Sequence, residues 1–354
     1  MTGATNEKSI IEVGLVLQGG GALGAYEWGA IEALFDVMDE IEKAGKKIEM
    51  RVVTGVSIGA INAACIVGSA NRSDARARLA ALWNDFMIKA PAFVPAAIAS
   101  NIALLEVPHF YRFAPGWNFT YLYETRELLT TLSTRVDFAA LNANEIAFVV
   151  TAADVTGGEL VSFANQQVGE IEPTTIEPKH VLASGSLAPQ FPATQFGEGS
   201  DAHSYWDGGL IDNTPLGAAI DKLDADPNVE KLLVVMNLFP LQSRAPLNYA
   251  EVNERVDQLR FGNRLRQDAS VARQFNKLLK AIKETPDLPP RLQNILKDYK
   301  IVDPVEISLG EKDSLADPYG FRDFSQQGIQ ARRDRGKAIA YDTLKRHFND
   351  KLAA

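Results

Sequence analysis

Residues 51–65 read RVVTGVSIGAINAAC, and the fold turns on how that stretch is understood. The β-branched run Val52-Val53-Thr54 suits a strand, Gly55-Val56-Ser57-Ile58-Gly59 a tight turn, and the small residues that follow a helix. Gly55 and Gly59 carry no Cβ, so strand and helix can approach closely and the Ser57 hydroxyl is pushed outward at the apex. The first N–H groups of the helix point back toward Ser57, where they favour a nearby negative charge. The stretch therefore predicts a nucleophile elbow. G-x-S-x-G arises by chance in a chain of this length roughly one time in ten, so its neighbours must decide.

Upstream, residues 10–17 predict a buried strand that runs into Gln18-Gly19-Gly20-Gly21-Ala22-Leu23-Gly24. Ile31, Leu34, Phe35, Met38 and Ile41 then recur at helical spacing, and Gly45 closes the helix before a strand at 48–54. A strand, glycine loop, helix and strand in succession imply two parallel strands with a right-handed crossover. The loop also fits G-x-G-x-x-G, but a dinucleotide site expects an acidic residue where the second strand here ends in Thr54-Gly55-Val56-Ser57. Placed beside the elbow, glycine N–H groups can instead converge on the oxyanion of an acyl-transfer intermediate. The plainer alternative is a tight strand-to-helix turn and nothing more.

Downstream, the helix leaving Ser57 runs to about Gly68, and Ser73 reads as the N-cap of another that shows Leu79, Leu82, Trp83 and Phe86 on one face. Residues 91–115 are rich in Pro, Ala, Phe and Ile with almost no charge, which fits either a rim that meets a lipid interface or a packed core. The 133–150 region predicts a turn and a strand at 146–150, and Gly157-Gly158 a hairpin connection to 159–164. Residues 180–196 begin as a short helix broken at Pro189 and Pro192. Another helix starts near Pro215, a strand follows at 231–238, and long helices occupy 249–283 and 325–348. The expected organisation is a polar, disordered tail at 1–9, one α/β domain over 10–240, and a helical extension over 241–354 packed on the same domain.

The 354 residues, 46% of them hydrophobic, can bury a large core. A formal charge of −9 excludes a nucleic-acid-binding surface, which needs a basic excess. Such an excess occurs only locally, as in Arg332-Arg333-Asp334-Arg335, which reads as a solvated helix face. The single Cys65 excludes an internal disulfide and reads as a small buried hydrophobe. No signal-peptide pattern opens the chain and no apolar run approaches the ~20 residues of a membrane span, so a cytoplasmic location is expected.

A serine nucleophile needs a base. His109, His180, His203 and His347 are the only histidines, and none falls where a strand-to-loop catalytic histidine is expected. Asp207 lies in a Trp-Asp-Gly-Gly turn and could accept the serine proton directly, although Asp-Gly-Gly could also merely reverse the chain.

In this order, GGGALG at 19–24, GVSIG at 55–59 and DGG at 207–209 resemble the patatin-like phospholipases, lipid acyl hydrolases that use a serine and aspartate dyad. The resemblance covers about residues 11–240. It implies an α/β fold of three α/β/α layers around a mostly parallel sheet, with Ser57 as nucleophile and Asp207 as base. Oxyanion donors are implied in the loop at Gly19, Gly20 and Gly21, with Gly24, Gly55, Gly59, Gly208 and Gly209 structural. Also implied are a lipid carboxyl ester as substrate, an acyl-serine intermediate, peripheral membrane contact, and chemistry that asks for no metal or organic cofactor. Family members often carry Arg or Lys where this chain has Leu23, which bears on headgroup preference and leaves acyl transfer untouched. Ala183 to Pro189 resembles the family's structural stretch ahead of the aspartate turn. Two alternatives remain: an α/β-hydrolase esterase with a Ser-His-Asp triad, for which only His347 follows the acid, and a lipid-binding protein without catalysis.

Overall fold

Strand β1 (Ile10–Leu17) is apolar on both faces: Ile11, Val13, Leu15 and Leu17 enter one core and Val16 the other. A strand buried on both sides belongs in the middle of a parallel sheet covered by helices. The computed structural model describes residues 10–87, 124–197, 202–226, 228–239, 243–285, 288–296, 299–309 and 320–353. The tail at 1–9, the apolar segment at 91–115 and His109 lie outside these residues.

After β1 come α1 (Gly24–Lys43), β2 (Lys47–Gly55), α2 (Ile58–Val67) and α3 (Arg72–Phe86), then α4 (Arg126–Arg135), α5 (Phe138–Ala143) and β3 (Ala147–Asp154). The chain continues through β4 (Leu160–Ala164), α6 (Pro178–Ser184), β5 (Thr194–Phe196), β6 (His203–Asp207), α7 (Leu216–Lys222) and β7 (Glu230–Asn237). It ends with α8 (Tyr249–Lys283), α9 (Pro290–Leu296), β8 (Pro304–Ser308) and α10 (Gln326–Ala353). The sheet order is β5-β6-β3-β2-β1-β7-β8, with β4 also on β3. The run β3-β2-β1-β7-β8 is parallel, and β4, β5 and β6 are the antiparallel additions. Chain direction across the sheet reverses at β1, so the crevice beyond its carboxyl end is where such sheets place a site.

One face is covered by α1, α2, α3 and α10, the other by α7 and part of α8, giving the three-layer architecture. Helix α2 is buried on every side, Cys65 included, and burial pushes that thiol up to about 12. No described helix is long and apolar enough to cross a membrane.

Several local readings are corrected. Asn71, not Ser73, caps α3, because its Oδ1 accepts the N–H groups of Ser73 and Asp74, both at 3.0 Å. Helix α5 precedes β3 where only a turn was expected; it spans six residues, too few for a periodic signal, and is capped by Asp137. Residues 203–207 form a strand, and β8 adds a parallel strand from within the C-terminal region read as helical. Arg332 and Arg333 are not a solvated face. Arg332 is buried against Asp323 at 3.0 Å, and Arg333 pairs with Glu32 at 2.9 Å while lying 4.4 Å from the centre of the Trp28 ring. His347 is half-buried beside Phe348.

The reason is the close crossing of α1 and α10. A Cβ on Gly29 would lie 1.8 Å from the Arg333 carbonyl oxygen, and one on Gly336 would lie 2.0 Å from that of Tyr26. Neither helix can yield without opening the core, since α1 is buried along most of its length. Gly29→Val should therefore destabilise the protein by roughly 3 kcal/mol, the upper end of the usual range for overpacking, because the contact is backbone against backbone. Chemical denaturation of the variant against the parent checks this.

Candidate active site

Ser57 has φ 54° and ψ −123°, the one non-glycine residue with positive φ among the described residues. Close packing of β2 and α2 imposes this. A Cβ on Gly59 would lie 2.6 Å from the carbonyl oxygens of Leu17 and Gln18, so α2 starts directly against the end of β1, and Gly55 is equally tight against Gly59 and Ala60. The Ser57 N–H donates to Ser184 Oγ at 2.8 Å, and its C=O accepts the Ile61 N–H at 3.2 Å. Ser184 closes α6, a helix whose contribution the sequence signalled only through the Ala183–Pro189 stretch.

Register brings Asp207 to the serine. On one edge of β3, residues 149–153 pair with β4; on the other, residues 147–150 pair with β2. Strand β6 pairs with Ala152 to Asp154, so it takes the edge that β2 has vacated and sits beyond the end of β2. Asp207 is opposite Ala152, two residues past the Val150–Gly55 pair. Its N–H donates to the Ser186 carbonyl at 3.0 Å, and its Oδ1 accepts the Gly209 N–H at 2.8 Å. Burial pushes the Asp207 carboxyl up to about 7, while a hydrogen bond from the Ser57 side chain and the Gly209 N–H favour the charged form.

The glycine loop abuts the serine: a Cβ on Gly19 would lie 3.0 Å from Ser57 Cβ. Gly19 was expected as an oxyanion donor, but its N–H is spent on Asn213 Oδ1 at 3.0 Å, and Asn213 Nδ2 returns a bond to the Gly19 carbonyl at 3.0 Å. No partner among the described residues takes the N–H of Gly20 or Gly21, and Ile58 opens α2, where helix geometry leaves the N–H unused. Gly21 has φ 52° and lies under the Phe321 carbonyl, which also accepts the Ala22 N–H at 3.0 Å. Gly24 packs on Ile58, Gly208 on Thr151, and Gly209 beside Asn213. Leu23 is buried in the core and carries no charge to the site. Asn213 escaped the sequence reading because a single polar residue in a loop carries no spacing signal, and Ser184 and Ser186 were included only as part of the Ala183–Pro189 stretch, without a role of their own.

The described histidines are engaged elsewhere. His180 Nδ1 accepts the Glu177 N–H at 2.9 Å, and its ring packs against those of Phe163 and Phe196. Burial holds its pKa below the usual value. His203 Nδ1 lies 3.0 Å from Asp154 Oδ2, and His347 lies near the end of α10.

The sequence model of the family described as Patatin-like phospholipase matches residues 15–220, more than half of the chain. Among solved structures the chain is similar to VipD from Legionella pneumophila, at 15% identity and TM-score 0.44, over 96% of this chain and 67% of that one. It is also similar to ExoU in its heterodimeric complex with SpcU from the type III secretion system of Pseudomonas aeruginosa, at 15% identity and TM-score 0.37, over 96% of this chain and 52% of that one. The chain thus spans about half the length of ExoU. No curated protein matches it.

Asp207 makes stability depend on pH. Its folded value of about 7 exceeds its ordinary 3.8, so the unfolded chain loses the proton first as pH rises. Stability is full below pH 4, falls through the window from about 4 to 7, and levels off above it, a loss of the order of 4 kcal/mol. Asp207→Asn should unfold at a higher temperature than the parent at pH 8 and at a similar temperature at pH 4. Thermal unfolding across that range reads the difference.

Proposed function

This chain belongs to the patatin-like phospholipase family, and we propose that it cleaves lipid carboxyl esters through an acyl-serine formed on Ser57, with Asp207 as the base. The observation that supports this most is the meeting of the strained Ser57 with a buried carboxyl whose pKa lies near 7, at the carboxyl end of β2. A base of that strength is ionised often enough near neutral pH and is still a fair acceptor for a serine proton.

In the first half-reaction the Asp207 carboxylate takes the Ser57 hydroxyl proton as Oγ bonds to the acyl carbon. The N–H groups of Gly20, Gly21 and Ile58 are the donors for the resulting oxyanion. Collapse breaks the bond to the alcohol oxygen, which leaves with the proton from Asp207. In the second half-reaction a water gives its proton to Asp207 and its oxygen to the acyl carbon, and the acid departs as Ser57 Oγ regains the proton. Leu210 and Ile211 are exposed directly after the Asp-Gly-Gly turn, apolar surface close in sequence to Asp207 that suits contact with an acyl chain. Lipid esters at a membrane surface are the substrate class this reading selects.

A fluorophosphonate probe should label Ser57, and Ser57→Ala should lose labelling and up to ~10⁶ of turnover while staying folded. Unlabelled wild-type protein would leave a lipid-binding role instead. Because the base must be ionised, kcat/KM should fall about tenfold per pH unit below about pH 7, and substitution of His180 or His203 should leave it near normal. Released acids from phospholipid, lysophospholipid and glyceride panels, measured by mass spectrometry, give these rates.

A further inference from the structure

Glu27, one turn into α1, is completely buried and lies outside the dyad. Its Oε1 accepts the Gln18 N–H at 2.8 Å, and its Oε2 accepts Asn62 Nδ2 at 3.1 Å. The same Asn62 Nδ2 donates to the Gly24 carbonyl at 3.1 Å, and Asn62 Oδ1 accepts the Trp83 indole N–H at 3.0 Å. Gln18 and Gly24 are the two ends of the glycine loop, and Asn62 stands on the helix that Ser57 opens. The Gln18 side chain extends the brace, donating to Thr214 Oγ1 at 2.6 Å and accepting the Leu238 N–H at 2.8 Å.

We propose that Glu27 and Asn62 are positioning residues that tie both ends of the glycine loop to the nucleophile helix, so that the loop N–H groups stay aimed at the acyl oxyanion. The proposal rests on the acyl-hydrolase reading. It follows from where the bonds end: Glu27 holds the Gln18 N–H, Asn62 holds the Gly24 carbonyl, the two side chains are bonded to each other, and each bond crosses between elements rather than capping one. Oxyanion donors act through alignment, and a misplacement of ~1 Å can cost ~10² in rate.

The chemistry of the pair supplies the test. In Glu27→Gln the new amide N–H₂ faces the Asn62 N–H₂, donor against donor. In the double variant Glu27→Gln with Asn62→Asp, the oxygen of the introduced amide keeps the Gln18 bond and its nitrogen donates to the introduced carboxyl. Burial at this fully enclosed position keeps the introduced carboxyl neutral, so it still accepts from Trp83 while its O–H takes the place of the amide donor to the Gly24 carbonyl.

Each protein is assayed on a soluble p-nitrophenyl acyl ester, with active sites counted by fluorophosphonate titration of Ser57. Glu27→Gln should lower kcat per titrated serine by roughly tenfold or more with KM within about twofold, and the double variant should regain most of that loss. Unchanged kcat in Glu27→Gln, or a loss that the double variant does not relieve, overturns the proposal. If Glu27→Gln does not fold, Trp83→Phe removes the indole donor to Asn62 together with part of a buried ring packed on Trp28 and Phe86: a severalfold fall in kcat per titrated serine with KM unchanged supports the brace, and an unchanged kcat overturns it. Wild-type protein that fails to label refutes the acyl-hydrolase reading itself, an outcome separate from a labelled enzyme indifferent to these variants.

Discussion

A serine held at φ 54° and ψ −123° occupies backbone territory that costs a non-glycine residue of the order of 1 to 3 kcal/mol, and it persists only if its surroundings leave no way to relax. Here they do not. Gly59 is wedged against the last carbonyls of β1, the Ser57 N–H is tied to Ser184, and Gly19 lies so near that only a residue without Cβ fits beside the Ser57 Cβ. A rotation that relieved Ser57 would drive one of these contacts into a clash. The strain leaves the half-buried Ser57 side chain at the end of the sheet, turned to Asp207 instead of folded into the helix that follows.

The same constraint explains why so many polar groups are buried around an otherwise apolar sandwich. Loops at the carboxyl ends of parallel strands carry backbone donors and acceptors that no ladder satisfies, and each must find a partner or cost stability. Asn213 satisfies both the N–H and C=O of Gly19 from 194 residues away, and Ser184 reaches Ser57 across 127. These bonds fix the loops relative to one another, which apolar packing alone does poorly because it has no direction. Asp207 is the exception in kind, since its burial keeps a proton within reach of neutral pH at a cost to the folded state.

The C-terminal region takes part in this arrangement. Strand β8 extends the sheet beside β7, α10 locks onto α1 through the paired glycines and the Glu32–Arg333 ion pair, and the Phe321 carbonyl holds the glycine loop from above. Phe321 also stacks with Phe261 of α8 and lies near Phe239 at the end of β7. The loop at Gly21, near the start of the chain, therefore rests on residues close to its other end.

What the sequence determined by itself was local and periodic. The buried strand at 10–17, the elbow around Ser57, the hairpin after Gly157-Gly158 and the helix at 249–283 each announce themselves within a few residues, because glycine spacing and apolar period act on neighbouring backbone. The order of GGGALG, GVSIG and DGG also indicated the family. What only the tertiary structure decided was every pairing across distance: that β6 takes the edge of β3 beyond β2 and so carries Asp207 to Ser57, that Asn213 consumes the Gly19 N–H, that Arg332 is buried and Arg333 paired with Glu32, and that Glu27 joins Asn62. A lone asparagine, a three-residue strand pairing or a buried glutamate leaves no pattern along the chain. Its meaning comes from geometry that exists only once the sheet has closed around it.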